Sequence, residues 1–133
     1  MQQPRRTGAT TTGTDEREPR DLAPIVGRFD LPALLVDLRN EPEWRAGDRN
    51  ARTLLRDGVL RLTLSILRPG AQLDELNGDG WTVLQALEGA FILETARAES
   101  PLEAGVVTAI APGEPWSVRA TSEGTLLLTR LQP

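Results

Sequence analysis

The spacing of hydrophobic residues changes near residue 49, from a helical period to a strand period. Before that point, four leucines follow the i, i+3, i+4, i+7 spacing of one helix face: Leu31, Leu34, Leu35 and Leu38. Asp30 can cap such a helix and Pro32 suits its first turn. The pattern predicts a short N-terminal helix that begins after Asp30 and ends before Pro42.

After Arg49 the hydrophobic period is two. Within 59–67, apolar residues at even positions alternate with Arg61, Thr63 and Ser65, which predicts a half-buried strand. Asp57-Gly58 is a hairpin signal that joins it to a shorter strand over 52–56. Five further strands are predicted: Trp81–Leu87, Phe91–Thr95, Val106–Ile110, Trp116–Ala120 and Thr125–Leu131. Many short strands with close turns favour an all-β sandwich or barrel.

The chain divides into three segments by composition. Residues 1–20 contain Ala9 as their one apolar aliphatic residue beyond Met1, so they cannot bury enough surface to offset the entropy of ordering. We therefore predict a disordered tail over 1–20, a helical or extended arm over 21–50, and a β-barrel over 51–133. The 133 residues suit one compact domain without disulfides or a structural metal.

Four side chains that carry much of protein chemistry are absent from the sequence, namely His, Cys, Lys and Tyr. Zinc, copper and non-haem iron sites depend on nitrogen and sulfur donors, so no ordinary site for these metals is expected. The same inventory excludes a Cys nucleophile, a Lys Schiff base, a Ser-His relay and a Tyr acid. Carboxylates, hydroxyls, amides, indoles and guanidinium groups remain.

The charge balance bears on the partners of the chain. All fifteen positive charges are Arg, and nineteen Asp and Glu side chains give a net charge of -4. A domain of this sign repels phosphate backbones, so no nucleic-acid partner is expected. No apolar run reaches the roughly 20 residues that span a bilayer, so no membrane partner is expected either. The absence of Cys is consistent with a cytoplasmic protein.

Two glycine-framed segments, 70–89 (GAQLDELNGDGWTVLQALEG) and 105–120 (GVVTAIAPGEPWSVRA), suggest a family. Their spacing resembles the paired motifs of the cupin superfamily. The glycines that carry the resemblance are Gly70, Gly89, Gly105 and Gly113. It implies a small cupin-like jelly-roll barrel over about residues 52–131, and such barrels often form homodimers.

The metal-ligand positions of the resemblance have lost their donors. Two histidines and a glutamate of the first cupin motif fall on Leu76, Gly78 and Thr82, and the histidine of the second motif falls on Trp116. These positions supply an alkyl chain, a hydrogen, a hydroxyl and an indole. We therefore expect a metal-free barrel with no cofactor.

The same register gives a first prediction of the barrel interior. Strand alternation brings Leu84 inward with Thr82, and Val118 inward with Trp116. The predicted cavity is apolar, takes a small apolar molecule and is lined by Leu76, Thr82, Leu84, Trp116 and Val118. The indole of Trp116 would form a stacking wall and Thr82 a polar handle. The favoured interpretation is still an interior filled by the protein's own side chains, because the indole of Trp116 adds bulk where a metal would lie.

Three functions stay open from the sequence. The preferred hypothesis is a metal-free barrel, non-enzymatic, that binds a small ligand or has a structural role. The alternative is a metal-independent isomerase, epimerase or lyase that uses one of five carboxylates: Asp74, Glu75, Asp79, Glu88 or Glu94. A carboxylate in an open, partly polar cavity with Arg nearby would favour this enzyme. A sensor module of a regulator is the second alternative. Arg61 suits either an anionic ligand or an acid at a subunit contact.

Overall fold

The computed structural model of the chain describes residues 26–75 and 79–132. Of the described residues, 26–34 fall in one unit and the rest, from Leu35 onward, in a second. The predicted disordered tail lies outside the described residues, and the predicted segment boundaries stay a prediction.

Two short helices precede the strands, α1 over Leu31–Arg39 and α2 over Pro42–Ala46. The predicted cap of α1 is confirmed, because the Ala33 amide donates to Oδ1 of Asp30 at 3.1 Å. The second helix, which starts at Pro42 as its first-turn proline, was not predicted. Within 26–75 and 79–132, neither helix has the length and apolar content to cross a bilayer.

Nine strands lie within the described part of the chain. They are β1 Arg49–Asp57, β2 Leu60–Leu67, β3 Gln72–Glu75, β4 Thr82–Glu88, β5 Ala90–Thr95, β6 Glu99–Glu103, β7 Val107–Ile110, β8 Trp116–Ala120 and β9 Gly124–Leu131. The predicted hairpin joins β1 and β2, with Gly58 at φ +57°. Strands β3 and β6 were not predicted, because each is too short and too polar to show a period of two.

The strands form two antiparallel sheets that enclose one core. The five-stranded sheet has the order β1-β2-β9-β4-β7, and the four-stranded sheet has the order β3-β8-β5-β6. A hydrophobic cluster with side chains from both sheets includes Leu84, Phe91, Val118 and Leu126. The architecture confirms the predicted all-β jelly-roll fold with a short N-terminal helix.

Strand β2 is buried on both faces over its second half, which the alternation alone did not predict. Its Ser65 pairs with Leu126 and its Thr63 with Leu128, and both leucines belong to the core cluster. Directly paired residues of antiparallel strands share a face. The odd-numbered residues of β2 therefore face the barrel interior, and Arg61 lies on that interior face.

The even-numbered residues of β2 face outward and are covered by the helical segment. Asn50 of β1 pairs with Ile66 and so shares its face. Its Nδ2 donates to the Leu38 carbonyl oxygen and to Oε1 of Glu41, both at 2.9 Å. The fully buried Ile66 and Leu64 therefore pack beneath the C-terminal part of α1 and the turn that follows it.

Candidate functional site

A cavity of about 290 Å³ opens between the two sheets, at the end of the barrel where β2 begins and β9 ends. Its volume is near the lower end of the range for small-molecule sites. Five of the residues that line it are polar: Thr53, Arg61, Thr63, Asp74 and Arg130. Three apolar side chains complete the described lining: Leu73, Trp116 and Leu128.

The register of β2 against β9 arranges this lining in two layers. Arg61 lies opposite Arg130, and Thr63 lies opposite Leu128. Successive residues on one face of a strand are about 7 Å apart, which is therefore the spacing of the layers. Leu128 belongs to the hydrophobic core and Arg130 is followed by the exposed Leu131. The arginine layer is the mouth of the cavity.

Arg61 carries an unused hydrogen-bond donor. Its Nε is buried and has no partner among the residues that the structure describes. Buried donors are nearly always paired, and an unpaired one costs about 1–3 kcal/mol. A ligand with an acceptor oxygen at this position would recover that free energy.

Two positive charges face each other at the mouth. Arg61 and Arg130 are direct cross-strand partners, and like charges in this arrangement repel. Arg130 already has an interaction partner, so Arg61 is the side chain with a donor to spare.

The structure separates the residues of the predicted apolar cavity. Trp116 lines the observed cavity, although just 5% of its surface is exposed and its ring belongs to the core. Leu84 and Val118 are fully buried in that core, and Thr82 is 3% exposed. None of these three is among the side chains that line the cavity in the described part of the chain. Leu76 lies outside the described residues.

Asp74 is a candidate carboxylate residue that borders the cavity, but its pairing with Ser117 places its side chain on the outward face of β3, with Gln72. It is exposed, and its Oδ1 accepts a hydrogen bond from Nε2 of Gln72 at 2.9 Å. It also lines a second cavity of about 290 Å³, together with Glu94 and Trp116. The combination of a carboxylate, an Arg and a partly polar cavity is the one that favours the enzymatic alternative.

The remaining candidate carboxylates lie elsewhere. Glu88 accepts a hydrogen bond from Oγ1 of Thr125 at 2.9 Å and pairs with Arg39 at 3.3 Å, away from the cavity lining. Asp79 is exposed. The side chain of Glu75 is outside the described part of the structure.

Sequence reasoning singled out Arg61 but missed Arg130, Thr53 and Thr63. A signal for Arg130 was present, because it follows the apolar positions 126 and 128 at the same strand parity. An arginine that continues an inward-facing row marks a barrel end. The inward face of β2 gave no such signal, because its polar residues resembled a solvent face.

The fold was compared with known proteins. No family model and no curated protein matches the sequence. A protein from Thermus thermophilus matches in structure with a TM-score of 0.66 and 23% identity, over 81% of this chain and all of its own. A cupin superfamily protein from Desulfitobacterium hafniense matches with a TM-score of 0.62 and 14% identity, over 64% of this chain and 78% of its own. The chain has the cupin fold.

A third match of the same fold is an enzyme. Salicylate 1,2-dioxygenase from Pseudaminobacter salicylatoxidans matches with a TM-score of 0.59 and 24% identity, over 75% of this chain and 31% of the enzyme. The chain therefore corresponds to less than a third of that enzyme. The glycine motifs correctly predicted the cupin fold, and identities this low carry no activity from one protein to the other.

The residues at the cupin metal positions do not fit a transition metal. The indole of Trp116 has a donor N–H and no lone pair for a metal, and its ring is packed in the core. Thr82 offers one neutral hydroxyl in a buried position. No group of three or more Asp or Glu side chains within 26–75 and 79–132 is close enough to hold a metal ion. The polar groups of the cavity are therefore those of Arg61 and the residues around it.

Proposed function

We propose that this cupin-fold chain binds a small organic anion at the mouth of its barrel, with Arg61 as the anchor. The observation that carries the proposal is the buried, unpaired Nε of Arg61 in a cavity of about 290 Å³. A carboxylate can accept hydrogen bonds from Nε and from a terminal nitrogen of the same guanidinium group. The second arginine of the mouth adds positive potential.

The proposal modifies the ligand that the sequence analysis predicted. The sequence favoured a small apolar molecule, whereas the lining includes Arg61 and Arg130 beside its apolar residues. A charged ligand group uses the arginine layer, and Leu73, Trp116 and Leu128 leave an apolar surface for the rest of the molecule. A non-enzymatic binding role stays our preferred function.

A carboxylate-dependent isomerase, epimerase or lyase is the second candidate, and Asp74 is the observation that favours it. Asp74 borders the same cavity as Arg61, although its pairing with Ser117 places its side chain on the outward face of the sheet. Its side chain is exposed and accepts a hydrogen bond from Gln72, as expected of a residue at the rim. This position counts against a catalytic role, because a catalytic base would need to reach a ligand bound deeper in the cavity. Recovery of the bound compound unchanged would support binding, and its conversion would support the enzyme.

Calorimetric titration with hexanoate and with hexanamide tests the anchor. The two probes have the same length, and they differ in the charge that Arg61 would recognise. Hydrogen bonds to charged groups contribute about 1.5–3 kcal/mol. We therefore expect hexanoate to bind about 10- to 100-fold more tightly than hexanamide.

Two arginine-to-glutamine substitutions, one inside the cavity and one outside it, form a matched pair of variants. Arg61→Gln removes the charge inside the cavity and should abolish most of the preference for hexanoate. Arg119→Gln removes the same charge from an exposed position on β8, between the inward-facing residues 118 and 120, and should leave binding unchanged. Equal affinity for the acid and the amide, or equal effects of the two substitutions, would refute the proposal.

A further inference from the structure

The cavity has different chemistry at its two layers. The mouth layer holds Arg61 and Arg130, which face each other across β2 and β9. One step along these strands, toward the core, the lining contains Leu128 and the hydroxyl of Thr63. The facing sheet adds Leu73, which packs against the core cluster. The positive layer and the apolar layer are about 7 Å apart.

We infer that the ligands of this site are amphiphilic monocarboxylates, bound with the carboxylate at the mouth and the apolar body toward the core. This inference rests on the proposed function and adds the ligand class and its direction. A carboxylate at the arginine layer leaves about 7 Å to the apolar layer, the length of a short alkyl chain or a single ring. The volume of about 290 Å³ corresponds to roughly ten waters, which suits a molecule of that size.

The apolar layer should reject a second charge. A dicarboxylate bound in the same direction would place its far carboxylate beside Leu73, Leu128 and Trp116. No side chain that lines this layer in the described part of the chain carries a positive charge. Thr63 offers one hydroxyl, which does not replace the hydration of an ionised carboxylate. Charge at the far end of the ligand is therefore the property that the site discriminates against.

Titration of the wild-type, full-length chain by calorimetry tests the class. Affinity should rise about fourfold with each methylene from butyrate to hexanoate, because each buried methylene contributes a constant increment. Adipate has the same number of carbons as hexanoate and a second carboxylate. We expect adipate to bind at least about tenfold more weakly.

A variant pair tests the position of the apolar layer. Leu73→Lys places an ammonium group at a half-buried position of that layer, and a lysine there can keep its charge near solvent. It should reduce the preference for hexanoate over adipate. Leu131→Lys adds the same charge at an exposed position outside the lining and should leave the preference unchanged.

The outcomes separate the ligand class from the proposed function. If adipate binds wild-type protein as tightly as hexanoate, and both depend on Arg61, the inferred class is wrong and the anion site stands. If hexanoate shows no binding that depends on Arg61, the anion site itself is wrong, and the class is wrong with it. A hexanoate preference that Leu73→Lys reduces supports both.

Discussion

Two glycines of the cupin motifs should respond very differently to the same substitution. Gly89 and Gly113 both have positive φ, at +77° and +81°. A Cβ at residue 89 would lie 2.7 Å from the Cα of Gly124 and would also meet the carbonyl oxygen of Glu123. A Cβ at residue 113 would meet no described atom within 4 Å. The pair therefore separates backbone strain from steric crowding.

The magnitudes follow from these two causes. Alanine in the left-handed region costs about 1–2 kcal/mol, and both variants carry this strain. Overpacking adds about 1–3 kcal/mol at residue 89, because the crowding atoms are backbone and cannot rotate away. We expect Gly113→Ala to lower the free energy of unfolding by about 1–2 kcal/mol and Gly89→Ala to lower it by about 2–5 kcal/mol.

Urea unfolding followed by circular dichroism measures the difference. With a slope of about 2 kcal/mol per molar urea, the midpoint of Gly89→Ala should lie about 0.5–1.5 M below that of Gly113→Ala. Equal midpoints would show that the close approach of residues 89 and 124 does not exist in solution. That result would refute the steric reasoning and leave the positive φ as the one requirement for glycine.

Two further predictions concern the contact between β1 and the helical segment. Asn50→Asp should lower the free energy of unfolding by about 3 kcal/mol, because a carboxylate cannot donate a hydrogen bond to the Leu38 carbonyl or to Glu41. Urea midpoints measure this loss, and the control Asn40→Asp, at an exposed position, should change the midpoint little. The hydrogen bond from Asn50 lowers the pKa of Glu41 below its ordinary 4.5, against an opposing effect of burial and with a smaller contribution from Arg52. The stability that Glu41 adds should be complete above pH 4.5 and should disappear as the pH falls through the lowered pKa. The urea midpoint of wild type should therefore exceed that of Glu41→Gln by less at acid pH. A difference in midpoint that grows at acid pH would contradict the predicted direction of the pKa shift.

Local chemistry explains why so much of the fold could be predicted. Asp30 and Pro32 mark the start of α1, and Asp57-Gly58 marks the first hairpin, because each signal acts over a few residues of chain. The motif glycines are required by positive φ, which does not depend on metal ligands nearby. These features identified the cupin fold even though the ligand positions hold Leu76, Gly78, Thr82 and Trp116.

The candidate site could be predicted much less well, because it depends on which face of β2 is covered. Arg61 and Thr63 form the polar face of a strand whose other face is rich in leucine. In an isolated sheet that polar face would be exposed to solvent. Here the outward-facing Leu64 and Ile66 are fully buried, Asn50 beside Ile66 bonds to the helical segment, and the polar face lines the cavity. The local sequence of β2 does not indicate that a segment distant in sequence covers one of its faces.

The packing of Trp116 and the location of the cavity have a common physical cause. The core cluster includes Trp116, whose side chain is nearly fully buried and fills space between the sheets. Polar groups deep in this packed interior would lack partners, so a polar site can exist where the packing ends, at the arginine layer of β2 and β9. Arg61 lies at that end, opposite Arg130 and one step along the interior face from Thr63, so the interior face of β2 ends in a charged side chain.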